Sequence, residues 1–204
     1  YLLDNLLEQG AKDLTLVSNN AGNQGVGIAK LIGAGRVKKM VCSFPRQPES
    51  GAFDDLYRAG KIELELVPQG TLAERIRAGG AGIGGFYTPT GFGTELAKNQ
   101  DGSPKETRVI SGKSYVLEYP IYGDVALIKA ESGDRWGNLI YRKAARNFGP
   151  VMATAAQFTV ATVHEIVPLG SMDPETVVTP GIHVSKIVKI DHTATQAGGF
   201  KSSQ

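Results

Sequence analysis

The chain has 204 residues, 41% hydrophobic and 21% charged, which suits one globular domain with a sizeable core and leaves too little for two. A formal charge of +2, without any cluster of Lys and Arg interleaved with aromatics, excludes a broad nucleic-acid surface, so an anionic ligand must be met locally. Cys42 is the only cysteine, which excludes an internal disulfide, argues against cysteine-bound zinc and fits a reduced, cytoplasmic setting; His164, His183 and His192 have no metal-ligand spacing, and no apolar run approaches the roughly 20 residues of a membrane helix.

Leu2, Leu3, Leu6 and Leu7 recur at helical spacing, with Gly10 placed to end that helix. The chain opens at Tyr1 inside this pattern, so a preceding N-terminal segment is expected. Residues 14–18 predict a strand, 28–32 a short helix after a glycine-rich turn, and 37–44 a second strand. Ser50 caps a predicted helix over 52–59, Gly60 ends it, and 62–67 alternates apolar and polar residues as a strand does. Thr71 and Glu74 form the spacing of a capping box for a helix over 72–78.

Residues 107–110 and 114–118, joined through Ser111, Gly112 and Lys113, predict an inserted β-hairpin. Strand-like runs follow at 124–130, 139–142, 159–167 and 182–190, with a helix over 150–156. Alternating strands and helices predict an α/β fold: an open, mostly parallel sheet with flanking helices plus the hairpin. Residues 1–193 are taken as a single domain and 194–204, polar and rich in Gly and Ser, as a flexible tail.

Two segments carry the candidate chemistry. Gln69 lies between Pro68 and Gly70 at a strand-to-helix turn, where it either bonds its own turn or offers an amide N–H at a strand end, the place where open α/β sheets collect ligands. Beyond it, Gly80, Gly82 and Gly85 match the spacing of a dinucleotide fingerprint, but they follow a helix and precede an extended segment, the reverse of the required context. The glycine run therefore serves either tight backbone packing or close approach to a ligand. Asn20 and Gly22 close the first strand, as a turn or as part of the same crevice, and Arg46 closes the second, as a solvated cation or as a fork for a carboxylate. Trp136 is expected to pack, the cations Arg142, Lys143 and Arg146 to form a solvated face, and Cys42 to be a buried, inert thiol.

The ordered motifs Asn19-Asn20-Ala21-Gly22, Pro68-Gln69-Gly70-Thr71-Leu72-Ala73-Glu74-Arg75, Phe86-Tyr87-Thr88-Pro89-Thr90-Gly91 and Ala145-Arg146-Asn147-Phe148 resemble those of the alpha subunits of family I coenzyme A transferases over nearly the whole chain. Residues 42–47, 133–138 and 169–181 are most similar to the branch acting on 3-oxoadipate, with acetoacetate-using succinyl-CoA:3-ketoacid enzymes and acetate-type transferases as neighbours.

The resemblance implies a CoA-transferase-like fold, and a strand and glycine loop ahead of Tyr1. It implies a beta (B) subunit that carries the attacking glutamate, in a heterotetramer of two alpha and two beta subunits. Succinyl-CoA and a 3-oxoacid are the implied substrates, with coenzyme A as a substrate thioester and no metal or other cofactor. Gln69 would be the oxyanion donor, and Asn20, Gly22, Arg46, Gly82, Gly84, Gly85, Phe86, Thr88, Pro89, Thr90 and Gly91 would line the substrate. A sugar-phosphate isomerase or a ligand-sensing domain of related fold is the competing reading; the first should carry an acid/base pair and a DNA-binding regulator a helix-turn-helix, and neither stands out.

Overall fold

The computed structural model describes residues 1–23, 25–46 and 51–191. Their contacts group into two compact units, residues 1–74 with 85–119 and residues 75–84 with 120–191, within the stretch that the sequence suggested as one domain. The proposed tail 194–204, the capping Ser50, and Gln47 and His192 lie outside the described residues.

The first unit holds helix α1 (Leu2–Glu8), strand β1 (Leu14–Val17), helix α2 (Ile28–Gly33), strand β2 (Val37–Cys42), helix α3 (Gly51–Arg58) and strand β3 (Glu63–Leu66). It also holds the start of helix α4 (Gln69–Gly80) and the strands β4 (Phe86–Thr88), β5 (Thr107–Ile110) and β6 (Lys113–Glu118). A parallel sheet of order β1-β2-β3 carries the core, and β2 lies at its centre. Met40, Val41 and Cys42 are buried in succession, because a strand covered on both faces needs apolar residues at every position rather than at alternate ones. Leu31, Ile32 and Phe53 close over it, with Leu3, Leu6 and Leu7 of α1 packed behind. At the edge, β3 shows no alternating burial; its Glu65 pairs with Lys39 of β2 at 2.6 Å, a charged edge that resists strand addition.

Cys42 is fully buried, and that burial pushes its thiol up to about 11. At about pH 8 iodoacetamide should therefore leave the native chain unmodified and alkylate it once after unfolding in guanidinium, as read by intact mass. Rapid labelling of the folded chain would contradict the burial.

The hairpin is present but one residue tighter than the sequence suggested. Ile110 pairs with Lys113, so Lys113 belongs to β6, and Ser111 and Gly112 alone form the turn with φ of 50° and 77°. Two positive φ values in a two-residue loop match the twist of antiparallel strands.

The second unit contains the end of α4, the strands β7 (Gly123–Lys129), β8 (Ser132–Asp134) and β9 (Leu139–Ile140), helix α5 (Gly149–Ala155), and the strands β10 (Ala156–Val163), β11 (Glu165–Val167) and β12 (Lys186–Lys189). A parallel sheet of order β12-β10-β7 and a mixed sheet of order β11-β8-β9 share this unit. The run 159–167, expected as one strand, is divided at His164. There the chain passes from one sheet to the other, and His164 N–H and Glu165 N–H both donate to the Glu131 carbonyl. The run 182–190 shortens to β12, since Ile182 lies in a single 3-10 turn and is 88% exposed. The α/β class, the parallel pairing and the flanking helices are those expected, with the strands divided among four three-stranded sheets. Among the described residues, no helix is long and apolar enough to cross a membrane.

Candidate functional site

Because β1, β2 and β3 run parallel, their C-terminal ends gather on one edge of the first unit. Residues Asn19 and Asn20 follow β1, Ser43 to Arg46 follow β2, and Gln69 follows β3 as the first residue of α4. An isolated bridge between Asn20 and Phe44 extends the ladder past the strand ends and holds the first two loops together. Such an edge, beyond the carboxyl ends of parallel strands, is where α/β sheets bind ligands.

At this edge the Gln69 side chain is exposed, and its Nε2 donates to Asn19 Oδ1 at 3.0 Å. The same oxygen accepts from Ser43 Oγ at 2.5 Å. Asn19 is anchored in turn by its backbone carbonyl, which accepts from Ser43 N–H at 3.2 Å and Phe44 N–H at 3.0 Å. The sequence singled out Asn20, but the neighbouring Asn19 is the one that meets Gln69. Asn20 Oδ1 accepts from Gly22 N–H at 2.9 Å, so this side chain shapes its own turn. Two adjacent asparagines at one strand end and a serine at the next are the visible signal in the sequence.

Helix α4 begins at Gln69, three residues earlier than expected, with Leu72 N–H donating to the Pro68 carbonyl at 2.8 Å. Thr71 is consequently buried within the first turn and cannot cap the helix with Glu74. The earlier start fixes the backbone of Gln69 in helical geometry and aims its side chain from a rigid element rather than a loop.

Arg46 is exposed, and its Nε donates to Asp54 of α3 at 2.8 Å. Phe44, beside it, leaves an aromatic ring 56% exposed at the same edge.

The segment from Phe86 to Gly91 hangs on the antiparallel sheet of this unit, with Phe86 opposite Glu118 and Thr88 opposite Val116. Thr88 Oγ1 accepts from Thr90 N–H, and the Gly91 carbonyl accepts from Thr94 Oγ1. Tyr87 donates to Glu106, whose carboxylate holds the phenol above its ordinary range, and Arg108 stacks over its ring at 4.9 Å. Phe86, Thr88 and Pro89 are half-buried, whereas Thr90 is exposed.

The glycine run divides into positions with different reasons. Gly79 and Gly80 end α4 inside the second unit, where a methyl group would meet the Ile121 carbonyl oxygen and Thr154 Oγ1, each at 2.1 Å. Gly85, in the first unit, sits 3.3 Å from Leu117 by the same measure. For these three the packing explanation is sufficient. Gly82 has φ of 69° and Gly84 an ordinary φ, and nothing lies near the methyl that either would carry. Gly84 is thus required by nothing in its own unit. Gly79→Ala should destabilise the fold by about 1–3 kcal/mol through overpacking against backbone, while Gly84→Ala should leave thermal unfolding unchanged; equal melting temperatures for both would contradict this division.

In the second unit the buried Asp134 accepts from Trp136 N–H, Asn138 N–H and Asn138 Nδ2 at 2.9, 3.1 and 2.8 Å, which fixes the turn from β8 to β9. Trp136 does not pack as expected: it is 66% exposed, because Asp134 and Asn138 hold the turn and leave the indole outside. Arg142, Lys143 and Arg146 are exposed, as a solvated face requires. Among the described residues, no group of three or more His, Cys, Asp or Glu could hold a metal ion.

Residues 1–190 match the family model described as coenzyme A transferase. The chain is 59% identical over 196 residues to the alpha-type (A) subunit of 3-oxoadipate CoA-transferase from Pseudomonas putida, covering 96% of this chain and 83% of that protein. It is 61% identical over 196 residues to the protein of the same name from Acinetobacter baylyi, covering 96% and 84%. Among solved structures, an acyl-CoA transferase from Escherichia coli superposes with a TM-score of 0.75 at 24% identity, covering 93% of this chain. This chain spans 40% of that enzyme's chain, and the likeness establishes the shared fold. By its sequence along nearly its whole length, the chain belongs to the coenzyme A transferase family.

Proposed function

We propose that this chain is the alpha subunit of a cytoplasmic 3-oxoacid CoA-transferase that moves CoA from succinyl-CoA to 3-oxoadipate, in a heterotetramer of two alpha and two beta subunits. The observation that carries this reading is the Gln69 amide held by Asn19 at the C-terminal edge of a parallel sheet. The names of the Pseudomonas and Acinetobacter relatives support both the oxoacid and the division into subunits.

In the proposed mechanism a glutamate carboxylate of the beta subunit attacks the thioester carbonyl of succinyl-CoA. The C–S bond breaks, CoA thiolate leaves, and a mixed anhydride remains on the glutamate. The thiolate then attacks the glutamyl carbonyl, succinate leaves, and a glutamyl-CoA thioester is formed. The oxoacid carboxylate reverses both steps. Each attack places negative charge on a carbonyl oxygen, and the amide proton of Gln69 that is not given to Asn19 is the donor for it. The anhydride and thioester would hydrolyse in open water, so the exposed edge carrying Gln69 and Phe44 must be covered by the partner subunit during turnover. Gly82, Gly84 and Phe86 to Gly91 are proposed to line the substrate, and no metal or other cofactor takes part.

Purification with and without the beta subunit, followed by assay with succinyl-CoA across a panel of short 3-oxoacids, tests this. The isolated chain should show no transfer, and the complex should have its highest kcat/KM with 3-oxoadipate. Turnover by this chain alone would overturn the shared site, and a preference for acetoacetate would overturn the substrate assignment.

A further inference from the structure

A glutamine at the exposed start of a helix ordinarily samples many rotamers, and ordering it has an entropic cost. Gln69 is not free in this way. Its Nε2 is held by Asn19 Oδ1, that oxygen is held by Ser43 Oγ, and the backbone of Asn19 is tied to the loop after β2 through the N–H groups of Ser43 and Phe44. All three side chains lie in the first unit, at the ends of three adjacent parallel strands. An amide nitrogen has two protons; giving one to Asn19 fixes the direction of the other. Ser43 donates to Asn19 Oδ1 and so favours the orientation in which that oxygen, and not the Asn19 amide nitrogen, faces Gln69. With the Asn19 amide reversed, Gln69 would turn its own oxygen toward Asn19, and the direction of its N–H groups would be lost.

We infer that Asn19, backed by Ser43, is a positioning residue that sets the direction of the Gln69 amide before the substrate arrives. The inference rests on Gln69 being the oxyanion donor proposed above. Preorganised donors are effective because they need not reorient as charge develops, so loosening Asn19 should slow the chemical step and leave substrate binding intact.

The test is a double-mutant cycle on the complex with the beta subunit, using succinyl-CoA and 3-oxoadipate. Asn19→Ala should lower kcat about tenfold, the scale of one net hydrogen bond, with KM for succinyl-CoA changed less than about twofold. In the Gln69→Ala background the same change should cost less than about twofold, because there is no amide left to orient. Ser43→Ala should repeat the pattern with a smaller loss, and Ser43→Thr, which keeps the hydroxyl, should restore activity. If Asn19→Ala fails to fold, the Ser43 variants carry the same cycle. Equal losses in both backgrounds, or no loss from Asn19→Ala while Gln69→Ala is slow, would overturn the positioning role alone. A Gln69→Ala enzyme as fast as the parent would overturn the oxyanion assignment and the positioning role together.

Discussion

Gln69→Ala in the complex with the beta subunit should lower kcat about a hundred- to a thousandfold, the usual effect of losing one oxyanion donor. The change removes a donor from where charge develops and leaves the fold alone. Gln69 is exposed, its backbone is already helical, and alanine is the better helix former, so the melting temperature should not fall. Asn19 Oδ1 keeps its bond from Ser43, so no buried acceptor is orphaned. Gln69→Glu should be slower still. A carboxylate there faces Asn19 Oδ1 as acceptor against acceptor and puts a negative charge beside the developing oxyanion. Steady-state kinetics on the two variants with thermal melts as control decide the matter: a loss confined to KM, or a glutamate variant as fast as the parent, would remove Gln69 from the reaction.

How far this site is legible in the sequence follows from range. Gln69 between Pro68 and Gly70 is visible because strand-end chemistry is local, and so is Arg46. Asn19 and Ser43 escape a reading of the sequence because their value lies in meeting Gln69, fifty residues from Asn19 in the chain, and the side-by-side order of β1, β2 and β3 is a tertiary fact. The same reason explains the division of residues 159–167. Local β propensity continues through His164, while the choice of sheet is made by Glu131, whose carbonyl receives both N–H groups. The start of α4 differs from expectation because the capping-box spacing is a local pattern that burial of Thr71 overrides. The glycine run cannot be sorted from sequence at all: Gly79 and Gly84 look alike until Ile121 is found against one and open space beside the other.

Arg46→Ala should separate dicarboxylic from monocarboxylic oxoacids. Losing a hydrogen-bonded charge contact costs about 1.5–3 kcal/mol, so kcat/KM for 3-oxoadipate should fall roughly ten- to a hundredfold, while that for acetoacetate should change less than about threefold. With Nε held by Asp54, the two Nη groups form the end of the guanidinium that meets a carboxylate as a fork. Succinate is also dicarboxylic, so kcat, which mixes both half-reactions, is the wrong measure of Arg46. In a ping-pong sequence kcat/KM for the oxoacid reports only its own half-reaction with the glutamyl-CoA enzyme, and the succinyl half cancels from the comparison. Stability should not confuse the result, because the Arg46 side chain is 60% exposed and such an ion pair is worth about 0–1 kcal/mol. Arg46→Lys, which keeps the charge but not the fork, should fall between the parent and the alanine variant for 3-oxoadipate. Equal losses on the two oxoacids would show that Arg46 serves the fold or the partner contact, and the dicarboxylate preference would then need another residue.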